Sequence, residues 1–179
     1  MARSVSVCCA LLLSTVLPIT RPANASCASE TASLKARYEI MEGSVLDRRT
    51  GLTWNRCSVG QRWTSDNGCV GVIIQMNWTA AMSLNSPDWR VPTSEELRSL
   101  VVPGCSNPAI DEALFPDMEL TKLWYWTSTT EGLAAFYVAF GSGSVRTATE
   151  GQENAVRLVR RDRSLDHGST APIFMRKKP

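Results

Sequence analysis

Four cysteines constrain this chain more than any other feature, because they follow a segment laid out as an export signal. Residues 1–25 carry Arg3 as a positive start, an apolar stretch from Val5 to Leu17, and Ala23-Asn24-Ala25 as a small-x-small cleavage site. The apolar stretch is too short to cross about 30 Å of hydrocarbon as a helix, and no transmembrane segment is expected downstream. A lipid anchor on Cys27 is disfavoured, since Asn24 stands where the lipidation motif wants an aliphatic residue. Cleavage would remove Cys8 and Cys9 and leave Cys27, Cys57, Cys69 and Cys105. An even number of cysteines in an oxidising compartment points to disulfides, with three connectivities open. Cys57 and Cys69 flank a short polar stretch, and locking it would contribute about 3 kcal/mol. That pairing leaves Cys27 with Cys105. Zinc is not expected, because no pair has CxxC spacing and the one histidine, His167, lies in a polar tail. No cofactor is implied.

At 179 residues, 44% hydrophobic and 20% charged, the chain has room for one domain and enough apolar surface to fold it. The formal charge of +2 vanishes once Arg3 and Arg21 are discounted with the leader. A general polyanion binder that relies on bulk charge is therefore not expected, nor is a nucleic-acid partner. The charge is uneven along the chain, however. Arg157, Arg160, Arg161, Arg163, Arg176, Lys177 and Lys178 face only Asp162 and Asp166, so residues 157–178 carry +5 and residues 26–156 carry −5. The expected organisation is a leader at 1–25, a lead-in at 26–37, a domain at 38–161 and a flexible basic tail at 162–179.

Within the domain, strand material at Tyr38–Ile40 and Ser44–Leu46 precedes the turn sequence Asp47-Arg48-Arg49-Thr50-Gly51 and an alternating return strand at Leu52–Arg56. Val70–Ile74 is ambiguous between strand and loop. Asn77 is placed to cap a helix over Trp78–Leu84. Thr93-Ser94-Glu95-Glu96 is a capping box that starts a second helix with Leu97, Leu100 and Val101 buried and Pro103-Gly104 as its stop. Ile110, Leu114 and Phe115 read as plugs. The last third is β: Leu123–Thr129, Ala134–Phe140, Val145–Ala148 and Ala155–Arg160. The order predicts an α+β domain of short antiparallel sheets with two helices, its terminal strands adjacent.

The motifs form an ordered string: Gly51-Leu52-Thr53-Trp54-Asn55-Arg56-Cys57, Gly60-Gln61, Trp63, Cys69, Trp78, Trp89-Arg90-Val91-Pro92-Thr93, Asn107-Pro108-Ala109-Ile110-Asp111, Tyr125-Trp126-Thr127-Ser128-Thr129 and Val156-Arg157-Leu158-Val159-Arg160. In order and spacing this resembles the Lcl C-terminal domain family, a bacterial extracytoplasmic domain named for a collagen-like adhesin, over residues 38–161. The resemblance implies a C-type-lectin-like build, similar also to the formylglycine-generating sulfatase modifiers. It implies surface or periplasmic binding, in the named adhesin to sulfated glycosaminoglycans. This chain has no Gly-X-Y repeat, and Trp126 is followed by Thr127-Ser128 rather than a calcium-lectin Asn-Asp pair.

Candidate binding residues follow from side-chain chemistry. Trp63 lies in the cysteine-bracketed stretch, where its ring either meets a sugar or folds back on the disulfide. Trp124 and Trp126 would share one strand face, with Tyr125 on the other, as core or as a ligand platform. Arg146 could supply a cation beside them, and Arg160, Arg161 and Arg163 belong to the basic end. Trp54, Trp78 and Trp89 are expected in the core, with Arg90 paired to Glu95 or Glu96. A lone His167 leaves no nucleophile–base pair, and Glu95-Glu96 and Asp111-Glu112 read as helix-start residues rather than a glycosidase pair. The expected function is non-enzymatic binding of a glycan or an extracytoplasmic protein at the cell envelope, secreted or periplasmic. The alternative is a structural accessory protein of an envelope assembly, and a hydrolase ranks below both.

Overall fold

The computed structural model describes residues 34, 36–117, 124–148 and 151–161. Strands β1 (Tyr38–Met41), β2 (Ser44–Asp47) and β3 (Leu52–Asn55) form a meander, and β9 (Val159–Arg161) pairs antiparallel with β3 to complete the order β1-β2-β3-β9. The terminal strands thus share one sheet, with β9 beside β3. Val45 and Trp54 face each other across β2 and β3, both fully buried. The intervening turn closes on Asp47: its carbonyl accepts from Thr50 and Gly51, and its Oδ1 accepts from the Arg49 N–H. Gly51 takes φ 67° there, which a side chain would strain.

The stretch between the cysteines is a hairpin rather than a loop. Strand β4 (Gln61–Thr64) pairs with β5 (Gly68–Gly71), placing Trp63 opposite Cys69. The Cys57–Cys69 disulfide, with Cα atoms 5.4 Å apart, ties the hairpin to the end of β3. Cys105 is disulfide-bonded as well; its expected partner, Cys27, lies outside the described residues. Beyond β5 the chain returns along the hairpin, Ile74 N–H donating to Val59 O. Gly60 permits this approach, since a Cβ there would lie 2.3 Å from the Val72 carbonyl oxygen.

Helix α1 (Trp78–Met82) starts on Asn77, whose side chain accepts from the Ala80 N–H. Helix α2 (Ser94–Arg98) has both halves of its capping box, Thr93 to the Glu96 N–H and Glu96 to the Thr93 N–H. It stops at Arg98, well before Pro103-Gly104. The chain continues in tight turns, Leu100 bonding back to Leu97 and Val101 to Arg98, so Leu97 and Leu100 stay buried. Ile110, Leu114 and Phe115 plug the core as expected.

The third sheet is β6 (Trp124–Glu131), β7 (Ala134–Ala139) and β8 (Ser144–Ala148). One face packs on the cluster around Val138, Tyr125 and Phe140, the other on the cluster around Trp126, Tyr137 and Ala81. The segment expected as a strand at Ala155–Arg160 is extended, but only its end joins a sheet. Residues 154–158 instead bond to several elements in turn: Asn154 to Met76 and Ala155 to the start of β6 by two bonds each, Val156 to Val59 and Leu158 to Asn55 by one.

Candidate functional site

The most deeply buried ion pair among the described residues contains an arginine that sequence reasoning assigned to the basic end. Arg157 has no exposed surface, and neither has the side chain of its partner Asp117, 2.6 Å away. One Arg157 terminal nitrogen donates at 2.6 Å to the carbonyls of Asn55 and Arg56. The other contacts Asp117 and, at 3.4 Å, the Ser58 hydroxyl, which shares a 2.9 Å hydrogen bond with the Tyr125 hydroxyl. Asp117 also accepts the Ser58 N–H. The guanidinium lies over the Phe115 ring, 4.7 Å from its centre. Such a pair is retained inside only because hydrogen bonds surround it. Arg157 therefore leaves the basic end, since it joins β3, the plug around Phe115 and β6. The sequence signal was there: apolar residues flank it on both sides, and Val156 and Val159 are fully buried.

Arg56 performs a related task and is likewise buried. It donates to the carbonyls of Leu114, Ala113 and Glu42, and its guanidinium sits 4.0 Å above the Trp63 ring. Trp63 is half-buried. Its ring is engaged by Arg56, and the residue lies opposite Cys69 in the hairpin register.

The aromatic group on β6 splits. Trp126 and Tyr125 have no exposed surface, whereas Trp124 keeps 43%. The covering segment reaches only part of the strand. Trp126 donates its indole N–H to Met76 O, and Trp78 donates its own to Thr127 O. Trp124, one residue pair further along, stacks on Tyr137 with ring centres 5.0 Å apart. A ring with no surface has none to offer a ligand, so Trp126 belongs to the core and a two-tryptophan platform does not form. Arg146 is exposed and sits opposite Tyr137 in the sheet register, next to the Trp124–Tyr137 stack. Trp78 is half-buried rather than fully so, because its indole lies at the edge of the second cluster. Trp89 is likewise half-buried, covered by the Arg160 guanidinium at 4.8 Å rather than by core side chains.

Arg90 pairs with Glu96 through two contacts of 2.6 and 2.7 Å. Burial raises the Glu96 carboxyl, but Arg90 and the Thr93 N–H outweigh it and hold the group below its ordinary range. At the turn after β2, Arg37 grips Asp47 at 2.8 and 2.5 Å, and its contact again overcomes burial to hold that carboxyl low.

Arg160 and Arg161 are exposed on β9, so the folded sheet itself presents them. Arg163 lies outside the described residues. Arg161 enters a depression of about 410 Å³ lined also by Arg49, Ser99, Glu95 and Glu96. Among the described residues no group of three or more histidine, cysteine or acidic side chains could hold a metal ion. No described helix is long and apolar enough to cross a membrane.

Small antiparallel sheets, two short helices and a disulfide-tied hairpin define a small disulfide-bonded α+β domain. A model of the Lcl C-terminal domain matches residues 43–160, and the chain belongs to that family. The family and the disulfide fit an extracellular, adhesin-like domain in the periplasm or outside the cell. No curated protein and no solved structure matches the chain.

Proposed function

We propose that the protein is an exported, non-enzymatic binding domain of C-type-lectin-like build that recognises an anionic glycan at the cell envelope. One observation carries this reading. Arg160 and Arg161 are held on a paired strand with exposed side chains. The residues that follow add Arg163, Arg176, Lys177 and Lys178 against Asp162 and Asp166. Cations concentrated at one end of a chain whose remainder is acidic set up a local field that screening cuts off beyond about 8 Å at physiological salt.

The test is binding of the purified protein to heparin-like and neutral glycans across a salt series, with and without residues 162–179. The expected result is saturable binding to the charged glycan that weakens with salt. No binding at any salt overturns the reading. Salt-insensitive binding to a neutral sugar also overturns it and moves attention to Trp124. A protein partner within an envelope assembly is the second reading, supported by Val72 and Ile74, which keep 80% and 51% of their surface exposed beside the hairpin.

A further inference from the structure

The turn that joins β6 to β7 holds an apolar side chain out in water. Glu131 and Ala134 pair across it, which leaves Gly132 and Leu133 as its two residues. Gly132 takes φ 58°, a conformation that favours glycine at the first position of a two-residue hairpin turn. A Cβ placed there would meet nothing within 4 Å, so the tip stands clear of the body. Leu133 keeps 94% of its surface exposed. Thr130 and Glu131 beside it are exposed too, and Glu131 makes no ion pair among the described residues. A single exposed leucine is ordinary on a protein surface. This one has a matching hollow on the same chain.

The hollow is a depression of about 600 Å³ where the β2–β3 turn faces the end of α2. Leu34, Val101 and Pro103 give it apolar walls. Arg49 and Arg98 line it as well, both exposed and without an ion pair among the described residues. An apolar socket with a cationic rim is complementary to a leucine knob with a carboxylate two residues away. Knob and socket sit at opposite ends of one strand. Gly143, which lines the socket, lies in the turn between Ala139 and Ser144, at the far end of β7 from Leu133. The six residues of β7, at about 3.3 Å each, hold the two roughly 17–20 Å apart. A chain therefore cannot seat its own knob in its own socket.

We propose that a second copy of this chain seats its Leu133 in the socket, with its Glu131 carboxylate against Arg98 or Arg49, so that the protein associates head to tail. The inference goes beyond the glycan reading and does not depend on it. The two surfaces in contact differ, so every open assembly keeps one knob and one socket free, and growth ends only when a ring closes. One knob buries far less than the about 1,000 Å² of a stable interface. Single pairs are therefore weak, and assembly gains strength where copies are crowded or held on a surface.

Sedimentation velocity over a concentration series of the full chain, purified from an export-competent host, tests this. The wild type should show a mean mass that rises with concentration. Leu133→Asp removes the knob and Arg98→Glu reverses charge at the socket; each should weaken association roughly tenfold or more. Both side chains are exposed, so the thermal midpoints should stay at the wild-type value. Arg62→Glu, exposed on β4 and outside the socket, makes the same charge change and should associate as the wild type does. Mixing is the decisive arm. Leu133→Asp keeps an intact socket and Arg98→Glu an intact knob, so an equal mixture should form a dimer and stop there. A wild type that stays monomeric at every concentration overturns the proposal, as does association that survives Leu133→Asp. Association unchanged in Arg98→Glu overturns the socket, and a mixture that stays monomeric overturns the head-to-tail geometry.

Discussion

Arg157 and Arg161 lie four residues apart on the same extended segment, yet one is sealed in the core and the other stands in solvent. Arg157 spends its charge on one carboxylate and three backbone or hydroxyl oxygens, so nothing is left to attract a ligand. Arg161 makes no ion pair among the described residues and stands exposed at a depression it lines with Arg49. The difference teaches that a basic residue's function is set by whether the fold supplies it with oxygens. The same contrast separates Arg37, which is committed to Asp47, from Arg98, which is exposed and makes no ion pair among the described residues.

The largest expected effect comes from breaking the buried side. Asp117→Ala strands the Arg157 cation away from water and should destabilise the domain by about 3–5 kcal/mol. Chemical denaturation under oxidising conditions measures it; a loss under 1 kcal/mol would mean that water reaches Arg157. Replacing Cys57 and Cys69 together by alanine should cost about 3 kcal/mol, given a sequence separation of 12. The same denaturation series checks this, and an unchanged midpoint would show that the hairpin is held by β4–β5 pairing alone.

Asp47 tests the half-committed case. Its carboxyl is held below the ordinary value because Arg37 outweighs burial. A depressed acid contributes stability that is present above its unfolded pKa, near 4, and lost as pH falls through the folded value. Asp47→Asn should cost about 1–3 kcal/mol at neutral pH. It should also flatten the decline in stability below pH 4 relative to wild type. An Asp47→Asn curve parallel to the wild-type curve over that range would remove Asp47 as a cause. Thr93→Ala, which deletes half of the capping box, should cost about 1 kcal/mol, read as a shifted thermal midpoint. The smallest effect belongs to the exposed side of the comparison. Arg161→Gln should change stability by less than about 0.5 kcal/mol while weakening heparin binding. A larger loss of stability would show that Arg161 supports the sheet after all.

Much of the fold was legible where the decisive contacts are local. The capping box at Thr93, the Asn77 cap, the turn at Asp47–Gly51 and the plugs at Ile110, Leu114 and Phe115 depend on residues close in the chain, and the structure contains each. The Arg90–Glu96 pair was legible for the same reason. Trp124 and Trp126 were not separable, because alternation assigns a face and says nothing of how far the covering segment extends. Trp89 was misplaced because its cover is Arg160, a residue from the far end of the chain. The exposed cations were half legible: Arg160 and Arg161 were picked out, but Arg49 and Arg98 sit in a turn and a helix end that gave no sign of it.

By itself, then, the amino-acid order determined the caps, the β2–β3 turn and the family and favoured the Cys57–Cys69 bridge, since turn chemistry, caps and short loops draw on near neighbours. Only the tertiary structure decided which arginines are spent on buried oxygens and which stay exposed. Arg157 meets Asp117 across 40 residues and the Arg56 carbonyl across 101. Whether a charge is desolvated depends on what packs over it, and that is a property of the assembled sheets rather than of any stretch of chain.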